Sequence, residues 1–168
     1  SPSIAGGTAV ADQGTQTSGS AFTGLHAGTT IWLPTGSTTS SGNGSAASFN
    51  GNTWAVGDYF QFLVNTSNYT GISIKFDHTS SNTGPKDFKL QYSTDGTAFT
   101  DYSGGPYVVP NNSGASIGWS STNPSHTSTL SFDLSSITSL NNAPTVYFRL
   151  RDNSTVSINA GTVAAGGT

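Results

Sequence analysis

The clearest pattern in this chain is the alternation of apolar and polar residues in five segments of its central and C-terminal parts. A period of two is typical of a β-strand with one buried face, because successive side chains point to opposite sides. The five segments are DYFQFLVN (58–65), GISIKFDH (71–78), DFKLQYS (87–93), TLSFDL (129–134) and TVYFRLRD (145–152). Five one-sided strands are what two packed antiparallel sheets require. The chain is therefore predicted to be all-β, a two-sheet antiparallel β-sandwich of jelly-roll type.

Shorter signals lie between these segments. Asp95-Gly96 favours a tight hairpin in which both residues have positive φ. Apolar residues at every third position from 134 to 140 predict one short helical turn near residues 135–141. TIWLP (30–34) predicts a short strand, and the Gly/Ser/Thr-rich residues 35–48 predict a long loop.

The length of 168 residues fits one domain. Residues 1–29 are small and polar without a clear period, and we interpret them as an extended N-terminal arm or weak strands. Residues 30–168 are interpreted as the β-sandwich domain.

Composition narrows the class of protein. Charged residues make up only 8% of the chain, the net charge is −3, and there is no cysteine. Five scattered cations argue against nucleic acid as a partner, since phosphate binding needs a clustered basic face. No apolar run approaches the ~18 residues of a membrane span. With 27 Ser and 25 Thr replacing charged residues as the solvated surface, we expect a secreted protein, extracellular or at the cell surface.

Two stretches of the chain carry a resemblance to a known family. They are VGDYFQF…GISIKFDHTSSNTGPKDFKLQYSTDGTAFTDY and FDLSSITSLNNAPTVYFRLRD…GTVAAGGT. They resemble secreted bacterial β-sandwich (jelly-roll-like) domains that often occur in proteins with PEP-CTERM-type sorting tails. The resemblance implies the fold and secretion, and it supplies no catalytic residues.

The resemblance also implies that the domain lacks its terminal strand or strands, because the family has one before the region matching Ser1 and one after GTVA-GGT. Three explanations stay open: a gene product longer than this sequence, a strand received from a neighbouring copy, or a terminus that folds back by another route. The second predicts a non-enzymatic structural subunit that assembles head-to-tail with other copies of itself into a filament or surface layer. Ile4 and Val10 are then the candidate anchors of the assembly arm.

Catalytic and metal sites have weaker support. A Ser-His-Asp set could be drawn from His26, His78 or His126, but no G-x-S-x-G elbow is present, so no enzymatic activity is expected. No cofactor is expected apart from Ca²⁺, for which Asp77, Asn82 and Asp87 offer oxygens around one turn. The alternative is that these three residues cap turns through hydrogen bonds.

The alternative function is a carbohydrate-binding or adhesion module. Aromatic rings outside the inward-facing pattern could serve as sugar platforms or, alternatively, as half-buried lids over the core; they are Trp32, Trp54, Trp119, Tyr102 and Tyr107. Covalently attached glycans are a related prediction. The candidate sites are the sequons at Asn43, Asn65, Asn68, Asn111 and Asn153, and the hydroxyls of Ser37, Thr38 and Thr39.

Overall fold

The structure is a computed structural model, and it describes residues 10–11, 14–25, 33–34, 49–111 and 128–167. Within these residues the chain forms ten strands and one short 3₁₀ helix, Thr138–Leu140. The strands are β1 (Ala21–Leu25), β2 (Leu33–Pro34), β3 (Phe49–Asn50), β4 (Tyr59–Val64), β5 (Ser73–Asp77), β6 (Asp87–Ser93), β7 (Thr100–Asp101), β8 (Tyr107–Val108), β9 (Thr129–Asp133) and β10 (Val146–Asp152). The predicted all-β class and the helical turn are confirmed.

Six of these strands form the large sheet. Its order is β1-β4-β10-β6-β7, all antiparallel, and β8 pairs with the other end of the same edge of β6. In the register, Phe148 of β10 stands between Phe62 of β4 and Tyr92 of β6. β1 lies within residues 1–29 and pairs with β4 along its whole length.

The second layer of the sandwich is the small sheet, the antiparallel pair β5–β9, in which Ile74 lies opposite Phe132. Phe132 packs against Tyr102 and Tyr107, which lie beside or within the edge strands of the large sheet. The apolar faces of the two sheets thus share one core, as the alternation predicts. β2 and β3 form a separate short pair.

Each of the five alternating segments is a strand in the structure, namely β4, β5, β6, β9 and β10. The segment 30–34 is described only at Leu33–Pro34, where it is a strand, and residues 35–48 lie outside the described residues.

The Asp95-Gly96 hairpin is confirmed, but its turn is not the predicted two-residue one. Tyr92 pairs with Thr100, so the connection is longer, and only Gly96 has a positive φ, of 74°. The Asp95 carboxylate accepts hydrogen bonds from the backbone N–H groups of Thr97 and Ala98, and these bonds hold the wider loop.

The C-terminal residues dock on the rest of the domain through backbone hydrogen bonds. The N–H of Thr53 donates to the Ala165 carbonyl, and the N–H of Ala164 donates to the Thr83 carbonyl. Gly167 is buried against Thr83, with no room for a side chain. The C-terminal residues are therefore held by backbone hydrogen bonds, with Val163 packed against the core.

Candidate functional site

An open apolar groove of about 500 Å³ lies between the large sheet and β5. Phe62 and Val64 of β4, with Phe148 of β10, form one wall. Ile72 and the β5 residues Ile74 and Phe76 form the other. All of these side chains except Phe148 are only partly buried, so the inner faces of the two sheets do not close on each other here.

The backbone edge of β5 runs beside this groove. The N–H of Leu134 donates to the Ile72 carbonyl, and the N–H of His78 donates to the Ser128 carbonyl. Because alternate residues of an antiparallel strand direct their N–H and C=O groups to the same side, Ser73 and Lys75 direct theirs away from β9. Within the described part of the chain, no strand pairs with that side of β5 at Ser73 and Lys75. This stretch is called the β5 edge below.

The rim of the groove is polar and carries one cation, Lys75, together with Thr66 and Tyr69. The Tyr69 side chain is 45% exposed. The turn that holds Tyr69 is fixed by the Thr66 hydroxyl, which donates to the Leu140 carbonyl at 2.6 Å. A fixed rim around an open apolar wall is suited to binding a partner with alternating apolar side chains.

The N-terminal arm lies beside this rim at its base. Gln16 Nε2 donates to the Ser67 carbonyl at 3.1 Å, and Ser67 lies in the turn that borders the groove. Val10, one of the predicted anchors, is 65% exposed. Ile4, the other, lies outside the described residues.

Three of the five predicted sugar platforms lie within the described residues, and all three pack inward. Trp54 is buried against Phe60 and Phe88, and its Nε1 donates to the Gly51 carbonyl. Tyr107 is also buried, and Tyr102 packs edge-on against Phe132. These three rings are therefore part of the core packing. Trp32 and Trp119 lie outside the described residues.

The three residues considered for Ca²⁺ have separate hydrogen-bond partners. Asp77 Oδ1 accepts from Thr129 Oγ1 at 2.7 Å, and Asp87 Oδ2 accepts from Ser154 Oγ at 2.8 Å. Asn82 Oδ1 accepts from Asn111 Nδ2 at 2.6 Å. Among the described residues, no group of three or more His, Cys, Asp or Glu side chains is placed to hold a metal ion.

His78 is the one histidine that the structure describes, and it is partly buried beside the core. Its ring packs against Phe60 and Phe88, and Nδ1 is 3.2 Å from the Tyr107 hydroxyl. Burial lowers the pKa of His78 from 6.5 to about 4, so the ring is neutral near pH 7. His26 and His126 lie outside the described residues.

The predicted glycosylation sites differ in accessibility. Asn68 is exposed, whereas Asn65, Asn111 and Asn153 are half-buried. Asn65 Oδ1 accepts the backbone N–H of Ser67, which closes the turn at the rim. Asn43, Ser37, Thr38 and Thr39 lie outside the described residues.

Comparisons with protein-family models, curated proteins and solved structures found no match to this chain. In the described part of the chain, no helix is long and apolar enough to cross a bilayer. Sequence reasoning identified the inward residues of β4 and β5 but missed the groove between them. The sequence offered one signal for the groove: no further alternating segment was predicted that could cover Ile72, Ile74 and Phe76.

Proposed function

We propose that this protein is a non-enzymatic extracellular structural subunit that assembles head-to-tail, receiving a β-strand from a second copy at the β5 edge. The observation that supports the proposal is that the β5 edge lies directly beside the apolar groove. In strand addition, backbone hydrogen bonds give affinity and a groove accepts alternate side chains of the incoming strand.

The energetics favour an occupant of this kind. Exposed N–H and C=O groups on a strand edge are a template for pairing with another chain, and partly exposed apolar walls are costly in water. An added strand satisfies the Ser73 and Lys75 backbone groups and covers Ile72, Ile74 and Phe62 in one step. A compact ligand would cover the walls but leave the backbone groups unpaired.

The donor in this proposal is the part of the N-terminal arm that precedes β1 in the neighbouring copy, because Ala21–Leu25 pairs with β4 of its own subunit. Val10 is the most exposed large apolar residue that the structure describes. The arm contacts the turn that borders the groove through the Gln16–Ser67 hydrogen bond, so Val10 lies six residues from that contact. A head-to-tail contact that does not close into a ring grows into a filament or layer.

The extracellular location and attached glycans belong to the same proposal and rest on composition. A surface built on Ser, Thr and Asn instead of charged residues offers many attachment points. Asn68 is exposed beside the rim, so a glycan there would lie next to the assembly contact.

The acceptor edge is tested with two proline variants of the same residue type. Ser73→Pro removes an N–H from the β5 edge, and Ser131→Pro removes the equivalent N–H from the opposite edge of the same sheet, on β9. We expect Ser73→Pro to abolish assembly and Ser131→Pro to leave it intact, as measured by light scattering and electron microscopy. A wild-type chain that stays monomeric at all concentrations, or equal assembly of both variants, would contradict the proposal.

The donor is tested independently at Val10. Val10→Asp places a charge on the incoming strand, whereas Val56→Asp places the same charge on another exposed valine. We expect only Val10→Asp to lower the assembled fraction. Equal effects of the two substitutions would remove the N-terminal arm as the donor and leave the acceptor edge to be matched to another segment.

A further inference from the structure

The outer face of the large sheet, turned away from the core, carries a row of polar side chains across five strands. The register aligns Thr23, Gln61, Arg149, Gln91 and Asp101, from β1, β4, β10, β6 and β7 in turn. Gln61 Nε2 donates to Thr23 Oγ1 at 3.3 Å, and Arg149 Nε donates to Gln61 Oε1 at 2.7 Å. At the other end, Gln91 Nε2 donates to Asp101 Oδ1 at 2.7 Å. This set of five residues is called the outer row.

Aromatic rings border the centre of the outer row. The Arg149 guanidinium carbon lies 3.9 Å from the ring centre of Tyr59 and 3.4 Å from that of Phe99. Phe99 in turn meets Tyr147 edge-on, with ring centres 6.4 Å apart. All three rings are half-buried, so they add apolar surface next to the polar groups.

The outer face is positive on an acidic protein. Three of the chain's five cations, Lys89, Arg149 and Arg151, lie on it, although the net charge of the chain is −3. The one carboxylate of the outer row, Asp101, already accepts from Lys89 Nζ at 2.9 Å. A second carboxylate, Asp87 of β6, has the same outward parity and accepts from Ser154 Oγ, so two carboxylates stand against the three cations. Arg151 also helps to lower the pKa of Asp101. The face therefore has positive charge left to be balanced by an external anion.

We propose that this outer face binds an acidic polysaccharide, with the sugar carboxylates pairing to Arg149 and Arg151. A guanidinium recognises a carboxylate through two parallel hydrogen bonds. Tyr59 and Phe99 each place one ring face on the Arg149 guanidinium, and the remaining exposed surface of the half-buried rings offers an apolar contact for the C–H face of a pyranose. The amides of Gln61 and Gln91 offer donors and acceptors for its hydroxyl groups.

This mixture of groups favours a sugar polymer over an acidic protein surface. An acidic protein surface would balance the cations, but it would not match the aromatic rings and the amides that lie beside them. The inference is independent of strand addition, because the outer row and the β5 edge lie on opposite layers of the sandwich.

The test uses polygalacturonate as the acidic probe and its methyl ester as the neutral probe, in affinity electrophoresis and titration calorimetry. Arg151→Gln removes one positive charge from the outer face, and Lys86→Gln removes the same charge elsewhere. We expect Arg151→Gln to weaken polygalacturonate binding about tenfold and Lys86→Gln to weaken it less than twofold. The methyl ester should bind much more weakly than the acid.

Three results would overturn the inference: no binding of polygalacturonate by the wild-type chain, equal loss in both variants, or equally tight binding of polyaspartate. The last result would show that charge alone is recognised and would favour an acidic protein partner. Thermal melting of both variants separates a local effect from unfolding. Lys89→Gln, on the same face, provides a second comparison with Lys86→Gln if Arg151→Gln does not fold.

Discussion

The two sheets of this sandwich bury their apolar faces to very different extents. Along β10 of the large sheet, residues alternate between fully buried and half-buried from Val146 to Asp152. Along β5 and β9 of the small sheet, no residue is fully buried. The two sheets carry similar alternating sequences, so the difference comes from what covers each strand. Within the described residues, the central strands of the large sheet have neighbours on both sides, whereas the small sheet is a single pair beside an open groove.

This contrast bears on which sheet contributes most to folding stability and which has surface left for binding. Free energy of folding from apolar burial is concentrated where side chains leave water completely, which is the inner face of the large sheet. The small sheet contributes less in the single subunit, and it would gain most from an added strand. Under the proposed assembly, the subunit would fold mainly on the large sheet and bind its neighbour through the small one.

The largest expected effect comes from equal truncations in the two sheets. Leu90 of β6 is 0% exposed, whereas Leu130 of β9 is half-buried. We expect Leu90→Ala to lower the free energy of unfolding by about 3–5 kcal/mol and Leu130→Ala by about 1–2 kcal/mol. Urea unfolding of both variants, followed by tryptophan fluorescence at a concentration where light scattering shows monomers, measures the difference. Equal losses would show that the small sheet is as fully packed as the large one.

The next effect concerns a buried carboxyl group at the end of β10. Asp152 is 1% exposed, and burial, with added repulsion from Asp58 and Asp87, raises its pKa from 3.8 to about 6. An acid whose pKa is raised in the folded state destabilises the fold once it ionises. The penalty is absent below pH 3.8, grows through the interval up to about pH 6, and is complete above it.

Asp152→Asn should therefore stabilise the domain at pH 7 by about 3 kcal/mol, and the gain should vanish near pH 4. Asn keeps the oxygen that accepts the Ser154 backbone N–H. The comparison is with the wild-type chain at each pH, because His78 acts in the opposite sense. Its lowered pKa means that stability is lost as pH falls from 6.5 to about 4.

Asp133 on the small sheet is the matched control for this prediction. It is exposed, and a backbone hydrogen bond from Ser135 lowers its pKa. Asp133→Asn should bring no gain at pH 7, and the difference from the wild type should shrink below pH 4. A stabilisation by Asp133→Asn like that of Asp152→Asn would mean that net charge, and not burial, is responsible.

The sequence predicted the strands better than their surroundings. The period of two identified β4, β5, β6, β9 and β10 because it reports which side chains share a face. The same parity places Asp152 on the inward face of TVYFRLRD, a signal that sequence analysis passed over. Alternation does not show whether another strand covers that face. Only the structure shows that Ile74 is half-buried.

The sequence also did not predict the outer row or the burial of the aromatic residues, for a related reason. Gln61, Gln91 and Arg149 are ordinary polar positions of separate strands, and only the register brings them together. Trp54 and Tyr107 lie outside the alternating segments, which made them candidates for an exposed surface. Their rings nevertheless turn into the core beside Phe88. Trp54 lies in a loop, and Tyr107 lies in the two-residue strand β8, which is too short to show a period.

The smallest expected effect compares two glycines with positive φ, one at each sheet. Gly96 has φ of 74° in the β6–β7 hairpin, and Gly71 has φ of 66° in the turn before β5. A Cβ at Gly96 would lie 2.9 Å from the Tyr147 ring, whereas a Cβ at Gly71 would meet nothing within 4 Å. Both alanine variants pay about 1 kcal/mol for the left-handed backbone conformation. Gly96→Ala should lose about 1 kcal/mol more, because Tyr147 must move from the outer face of the large sheet. Thermal melting of the two variants measures this difference. Equal melting temperatures would mean that Tyr147 shifts freely and that the outer face is less rigid than its edge-on ring contact implies.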